Sequence, residues 1–502
     1  MKDYTASLLS LLESPMDRSI RPLAADKCTP SRTRSRFLGP LRPFNTFFLI
    51  LALAWVGGCT DSTGPDPWTE GDLLERLNAL PGVRAQEIQP FYGYPRAFQL
   101  DITQPVDHNN PNGPTFTQRA YLSHVPENTP MVFAPSGYGT TPESGQELAG
   151  ILQTNCLSVT HRYFPDARPA VMDWRYLDIR QAAADHHAIV TLLKTIYRGK
   201  WLNTGASKGG ETVLFHRRFY PEDVDVTVAY VAPLLYSDDD PRFMPFLRSR
   251  GTPEERAAVL AFQRMLLERK ADLLDDFQAW FDTRGYTLSI PLAATFEEAV
   301  ASYEWGYWQR HAYSPAQIPG PSASGVQMIN HLAAVVRLEY DADVWRDYFS
   351  TYVYQAKTEI GLPQIDLSPV ADLFTEEEID THQAYGFPPT LQFVYRPEVI
   401  PDIVQWIQSQ GDRILLIYGG DDPWTAGAVE LTGATDVLRV IQPGADHQVQ
   451  IVGLDDRDAV LARLSEWLGI PVSLPVAAPI RAAPQAAEPI PLRGMVSLRS
   501  RF

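Results

Sequence analysis

Cysteine is scarce in this chain of 502 residues, with three in all, and none sits in a cysteine–histidine cluster of metal-ligand spacing. That excludes a disulfide-stapled scaffold and a structural zinc site. No apolar run is long enough to span a bilayer, and no internal repeat is evident. Positive charge is short as well: 43 Lys and Arg against 60 Asp and Glu give a formal net charge of -17, which argues against a nucleic-acid partner. The chain is 45% hydrophobic and 21% charged. That composition excludes wholesale disorder and suffices for a large core, in one elaborated domain or two.

What the chain does carry at its start is an export signal. Arg32, Arg34, Arg36 and Arg42 precede a short apolar stretch from Phe47 to Gly58, which ends in the small residues before Cys59. This is the layout of a cleaved secretory leader. A cysteine directly after the small residues resembles a bacterial lipobox, so Cys59 is expected to be lipidated and to anchor the exported protein to the membrane of the cell envelope. A plain leader, with secretion, is the other reading. On either, Cys28 is lost with the leader and Cys156, at the start of an apolar run, is left as a buried inert thiol.

The expected organisation is a leader at 1–58, a polar Gly/Pro-bearing tether at 59–75, an α/β core in two parts at 76–234 and 407–469, a helical insertion at 235–406, and a Pro/Ala-rich tail at 470–502. Ala97–Ile102 and Phe116–Leu122 alternate apolar with polar around a turn-rich segment and predict an antiparallel hairpin. Met131–Pro135 and Leu157–Thr160 read as buried parallel strands. A helical period runs from Tyr176 to Tyr197, with strands at Trp201 and at Val226–Val231. Further strands at Arg413–Tyr418 and Val437–Ile441 and a closing helix ending at Leu468 complete a doubly wound sheet with right-handed crossovers.

The chemistry centres on Trp201–Gly210, an apolar strand running through Gly205-Ala206-Ser207-Lys208-Gly209 into a helix. This is the strand–turn–helix setting of a nucleophile elbow, where side chains at Gly205 and Gly209 would collide. Ser207 is the candidate nucleophile. In an α/β-hydrolase the acid follows a late strand and the histidine the last one. Asp422, in Gly419-Gly420-Asp421-Asp422, and His447, in Ala445-Asp446-His447, stand at those places. Asp421 rivals Asp422, and Asp446 reads as a turn residue. His447 would act as general base and acid with Asp422 orienting it, and such hydrolysis needs no metal and no cofactor. The oxyanion would meet the backbone N–H of Lys208 and that of Tyr138 or Gly137. The 215 residues between Ser207 and Asp422 leave room for a helical lid.

The G-A-S-K-G-G block, H-R-Y-F and W-R-Y-L-D-I-R-Q-A-A-A-D before it, Gln104–His108 (Q-P-V-D-H), Tyr303–Gln309 (Y-E-W-G-Y-W-Q) and Tyr354–Gly361 (Y-Q-A-K-T-E-I-G) together resemble the secreted bacterial tripeptidyl aminopeptidases. Those are serine peptidases related to prolyl carboxypeptidase and dipeptidyl peptidase II. The resemblance spans Phe98 to Leu468 and implies removal of short peptides, often after proline, from a free N-terminus. It implies a pocket carboxylate for the substrate's ammonium, for which Glu304 is the first candidate and Glu359 the second. Two positions depart from the family's pattern, Thr160 before H-R-Y and Glu211 after the serine block, and they leave the aminopeptidase subtype and the proline preference open. A lipase or carboxylesterase on the same fold and a lapsed surface-binding lipoprotein are the competing readings.

Overall fold

Short apolar runs alternating with helices pair side by side into one nine-stranded sheet. The computed structural model describes residues 71–377, 379–433, 435–475 and Ile480. The leader, Cys59, most of the tether and most of the tail lie outside the described residues. The strands are β1 (Val83–Ile88), β2 (Arg96–Pro105), β3 (Thr115–His124), β4 (Met131–Pro135), β5 (Asn155–Val159), β6 (Trp201–Ala206), β7 (Val226–Tyr230), β8 (Asp412–Gly419) and β9 (Asp436–Gln442), in the order β1-β2-β3-β5-β4-β6-β7-β8-β9. The first three strands and the β3–β5 pair run antiparallel, and every pair from β5 to β9 is parallel. This is an α/β-hydrolase sheet with one extra strand, β1, at its edge. The sequence does not single out β1, because an edge strand with one buried residue in six carries almost no apolar pattern.

Helices cover both faces. On one, Ile189, Val190 and Leu193 of the helix Ile179–Leu193 pack with Phe133, Leu157 and Trp201. On the other, Leu148, Leu461 and Leu464 pack with Leu202, Val228 and Leu415. Each such side chain contributes roughly 1.5–3 kcal/mol when fully buried. Cys156 is among them, a buried free thiol whose pKa burial pushes up to about 12.

Among the described residues, eight α-helices from Phe243–Arg248 to Thr381–Tyr385 lie between β7 and β8 and build an aromatic core that takes in Tyr138, Phe164 and Trp424. The helix Val399–Gln410 behaves differently. Ile400, Ile403 and Ile407 pack with Ile414 and Leu416 of β8, so the sheet layer resumes at Val399 and the boundary expected at 406/407 cuts through a helix. An amphipathic period reports that a helix has a buried face and not what covers it.

Three of the sequence blocks converge on Asp185. Arg162 donates to its two carboxylate oxygens at 2.7 Å each, His108 Nε2 lies 2.7 Å from Oδ1, and Gln104 Nε2 donates to the Asp185 carbonyl at 3.1 Å. Arg162 and Asp185 are fully buried. Burial raises the Asp185 carboxyl pKa and the guanidinium more than offsets it, so the carboxylate titrates below its usual range. A carboxyl held low contributes stability above its unfolded pKa that is lost as pH falls through the folded one. This knot ties the β2–β3 connection to the helix Ile179–Leu193 and to the chain that follows β5.

Asp185→Asn, which strands the buried Arg162 charge, is expected to lower the unfolding free energy by about 3–5 kcal/mol. Urea unfolding of the variant checks this, and an unchanged midpoint would show that the pair adds nothing to stability.

Candidate active site

Ser207 occupies the turn between β6 and the helix Lys208–Phe219 with φ 57° and ψ -130°, a conformation costly for any residue but glycine. Both ends of the turn are held: the Ser207 N–H donates to the Tyr230 carbonyl at 2.9 Å, and its carbonyl accepts the Glu211 N–H at 3.0 Å. Strand and helix cross so closely that a Cβ at Gly205 would lie 2.3 Å from the Gly209 carbonyl oxygen, and one at Gly210 2.7 Å from the Tyr230 oxygen. The expected collision at Gly209 is not found, since a Cβ there would come no nearer than 3.4 Å to the Gly137 nitrogen. Helical geometry turns position 209 toward the neighbouring loop and position 210 into the sheet.

Asp422 caps the short helical turn Pro423–Gly427, its Oδ1 accepting the Trp424 N–H at 3.1 Å. Its Oδ2 lies 2.6 Å from His447 Nδ1. Both residues are buried, at 0% and 1% exposure. A carboxylate in that place favours the imidazole tautomer protonated at Nδ1 and frees Nε2 to accept. His447 Nε2 and Ser207 Oγ are both buried and neither has a hydrogen-bond partner. An unpartnered buried polar atom costs about 1–3 kcal/mol, and folds tolerate that cost mainly at functional sites. Asp421 faces elsewhere, with Oδ2 3.5 Å from His311 Nδ1 and Oδ1 4.0 Å from Arg250. Asp446 accepts the Gln448 N–H at 2.8 Å, as a turn residue does.

The Ser136–Gly139 turn packs directly on the elbow. A Cβ at Gly137 would lie 2.5 Å from the Lys208 carbonyl carbon, so no other residue fits. The Tyr138 N–H donates to Ser136 Oγ at 2.9 Å, which leaves the Gly137 N–H as the loop's candidate donor beside that of Lys208. The Tyr138 ring stands edge-on to Phe164 and Phe349 in the lid core.

The two carboxylates proposed for a substrate ammonium sit in different surroundings. Glu359 is buried with one oxygen accepting the Ile179 N–H at 2.8 Å and the other 2.6 Å from Arg396; burial pushes its pKa up to about 8 against the opposing Arg396 charge. It fastens a lid segment to the start of the helix Ile179–Leu193. Glu304 is half-buried and lines a cavity of about 300 Å³ with Trp305, Arg248, Arg256 and Asp366. Burial raises its pKa and Arg248 opposes the rise. Trp305 links this cavity to the acid loop, its ring centroid 4.9 Å from that of Trp424. A larger cavity of about 730 Å³ is bounded by the Ser136–Gly139 turn, Tyr92, Trp345 and Tyr348 and is not lined by Ser207 or His447.

Several contacts that hold the site escape sequence reading. The Glu147 carboxylate accepts the Ile451 and Val452 N–H groups at 3.0 and 2.9 Å and the Tyr230 hydroxyl at 2.9 Å, which ties the histidine loop to the sheet. The Gln309 carbonyl accepts the His447 N–H at 3.1 Å, and Tyr348 Oη accepts the Gly139 N–H at 3.0 Å. Contacts made to backbone from between 138 and 305 residues away leave no local signal. Among the described residues no group of three or more His, Cys, Asp or Glu is placed to hold a metal ion.

Residues 67–494 match the family model described as PS-10 peptidase S37. The chain is 31% identical over 440 residues to a prolyl tri/tetrapeptidyl aminopeptidase of Streptomyces mobaraensis, covering 86% of this chain and 92% of that one. Among solved structures it is similar to a proline iminopeptidase of Mycobacterium smegmatis (14% identical, TM-score 0.35, 73% of this chain and 98% of that one). It is also similar to VinJ (12% identical, TM-score 0.35, 74% of this chain and 99% of that one).

Gly205→Ala, whose Cβ meets backbone that cannot yield, is expected to destabilise the chain by about 1–3 kcal/mol or more. Gly209→Ala, in ordinary contact inside a helix, is expected to leave it no less stable than the wild type. Equal urea midpoints for the two variants would contradict the close approach.

Proposed function

The chain belongs to the PS-10 peptidase S37 family of serine peptidases, and on that premise we propose that it is an exported exopeptidase that removes tri- or tetrapeptides from the free N-terminus of peptides through Ser207, His447 and Asp422. The observation that carries this reading is the combination of a buried Asp422–His447 bond with a strained elbow serine, the serine hydroxyl and the imidazole Nε2 both being buried without a hydrogen-bond partner. His447 Nε2 takes the Ser207 proton as Oγ attacks the scissile carbonyl, while Asp422 stabilises the imidazolium. The tetrahedral oxyanion is met by the N–H groups of Lys208 and Gly137. His447 then gives its proton to the departing amine, which leaves as the shortened peptide with a new N-terminus. The acyl-enzyme that remains carries the original N-terminal peptide, and a water activated by His447 hydrolyses it.

Glu304 meets the substrate's ammonium, and its distance from Ser207 sets how many residues fit between them. Trp305 lines the cavity beside Glu304, where a proline ring can pack against it. Ser207 and His447 are closed off from solvent, which suits a lid that admits short or extended peptides and excludes folded proteins. The leader with Cys59 as lipidation site would deliver the enzyme outside the cytoplasm, anchored to the envelope.

Ser207→Ala is expected to abolish fluorophosphonate labelling and to cut turnover of an Ala-Ala-Pro chromogenic substrate about a million-fold. Retained turnover would exclude the triad. Acetylating the substrate's amine, or changing Glu304 to Gln, is expected to lower kcat/KM by roughly 10- to 100-fold, as loss of a charged hydrogen bond does. An N-blocked peptide or a simple ester cleaved as fast as the free peptide would instead favour the esterase reading.

The pH dependence has a fixed sign. Glu304 must be ionised to bind an ammonium and its pKa is raised, while the substrate's amine loses its charge near pH 7.7–8.0. The kcat/KM for free-amine substrates is therefore expected to rise above the usual carboxylate range and fall again beyond the amine pKa. In Glu304→Gln the carboxylate limb specific to free-amine substrates is expected to disappear.

A further inference from the structure

The residue after the proposed nucleophile carries a side chain cut off from water. Lys208 is 1% exposed and its Nζ donates to the Gly137 carbonyl at 2.7 Å. Burying an ammonium against one carbonyl is expensive. Burial pushes the Lys208 amine down to about 7, with the charges of Glu211 and Glu359 acting in the opposite sense. The faces of Tyr138 and Phe164, with centroids 5.8 and 5.7 Å from Nζ, offset part of that cost. An apolar side chain of the same length would fill the space without it, since buried charges are commonly replaced by apolar groups at no loss of stability. Packing therefore does not explain why a lysine stands here.

Its single hydrogen bond does. Gly137 is a glycine because the elbow leaves no room for a Cβ, which would lie 2.5 Å from the Lys208 carbonyl carbon and 2.7 Å from Lys208 Cβ. Glycine is also the residue whose backbone is hardest to hold in one orientation. The neighbouring bonds pin the residues on either side: the Ser136 N–H donates to the Val159 carbonyl at 2.9 Å, and the His161 N–H donates to the Tyr138 carbonyl at 2.8 Å. The Gly137 carbonyl shares its peptide plane with the Tyr138 N–H, which donates to Ser136 Oγ at 2.9 Å, and Lys208 Nζ holds the other edge of that plane.

Building on the hydrolase reading above, we propose that Lys208 is a positioning residue: its ammonium pins the Gly137 carbonyl and so aims the Gly137 N–H, with Lys208's own N–H, at the oxyanion beside Ser207. One residue then organises the oxyanion pocket twice, through its backbone and through its side chain, and its side chain touches no substrate. The titratable groups that face the ammonium are Glu211 on its own helix, Glu359 from the turn Ala356–Ile360, His161 beyond β5 and His186 on the helix Ile179–Leu193. Burial pushes Glu211 up to about 8 and His186 down to about 3, and holds His161 well below its usual range. The two histidines are therefore neutral across the working range.

The test uses the full chain with Lys208→Met and Lys208→Gln, a free-amine tripeptide substrate and a fluorophosphonate. Lys208→Met is expected to lower kcat about 10- to 100-fold with KM within about threefold, because the misplaced donor acts only in the transition state. Lys208→Gln keeps an N–H for the carbonyl and is expected to recover part of the loss. In the wild type the inactivation rate by fluorophosphonate, which has no amine of its own, is expected to fall from about pH 7 to about pH 9.5 as the ammonium is lost; Lys208→Met is expected to lack that limb. A kcat within about twofold of the wild type in Lys208→Met overturns the proposal, and so does a rise in KM alone. If neither variant folds, the wild-type limb decides, and a flat rate above neutral pH overturns it. Failure of the hydrolase reading is distinct: it would appear as turnover by Ser207→Ala, in which Lys208 is untouched.

Discussion

Four backbone segments meet around Ser207 at distances that leave no room for a Cβ. The end of β6 touches the first turn of the helix Lys208–Phe219 at Gly205, that helix touches the end of β7 at Gly210, and the Ser136–Gly139 turn touches it at Gly137. Close packing of this kind is what holds a serine at φ 57°, because only surroundings that over-determine the backbone maintain a strained residue. It also buries Lys208 and Glu211, the first because it must cross to Gly137 and the second because the helix is pressed against the sheet. The polar cost of the site is thus a consequence of the approach that creates it.

The surrounding elements keep that junction in register. The Arg162–Asp185 knot fixes the chain that leaves β5, whose His161 N–H holds the Tyr138 carbonyl. Glu147 fixes the loop beyond His447. The lid adds contacts of its own through Gln309 to His447, Tyr348 to Gly139 and Arg250 to the Gly420 carbonyl at 2.5 Å. The helical insertion is thus bonded to the same loops that carry the candidate chemistry.

Much of the core was legible in the residues. The hairpin, the buried strands and the order of serine, aspartate and histidine at strand ends follow from period and from turn chemistry. The choice of Asp422 over Asp421 did not: two adjacent aspartates are equivalent in sequence, and only the cap at Trp424 turns one toward His447 and the other toward His311. The edge strand β1 was invisible for want of an apolar pattern. The helix Val399–Gln410 falls mostly inside the stretch expected as the helical insertion, and only its packing against β8 assigns it to the sheet layer.

By itself the sequence determined the class of sheet and the strand–turn–helix setting of Ser207, and it brought Asp422 and His447 forward as candidates at strand ends, since these depend on local period and on residues that only certain turns accept. Tertiary structure alone decided which carboxylate faces the imidazole, that Gly210 and not Gly209 is the crowded glycine, that Glu359 is spent on the Ile179 N–H and Arg396, and that Lys208 reaches Gly137. Those are matters of distance between residues remote along the chain. Pattern along a chain encodes which face of an element is buried, while the atom that a buried group meets is fixed only when the elements pack.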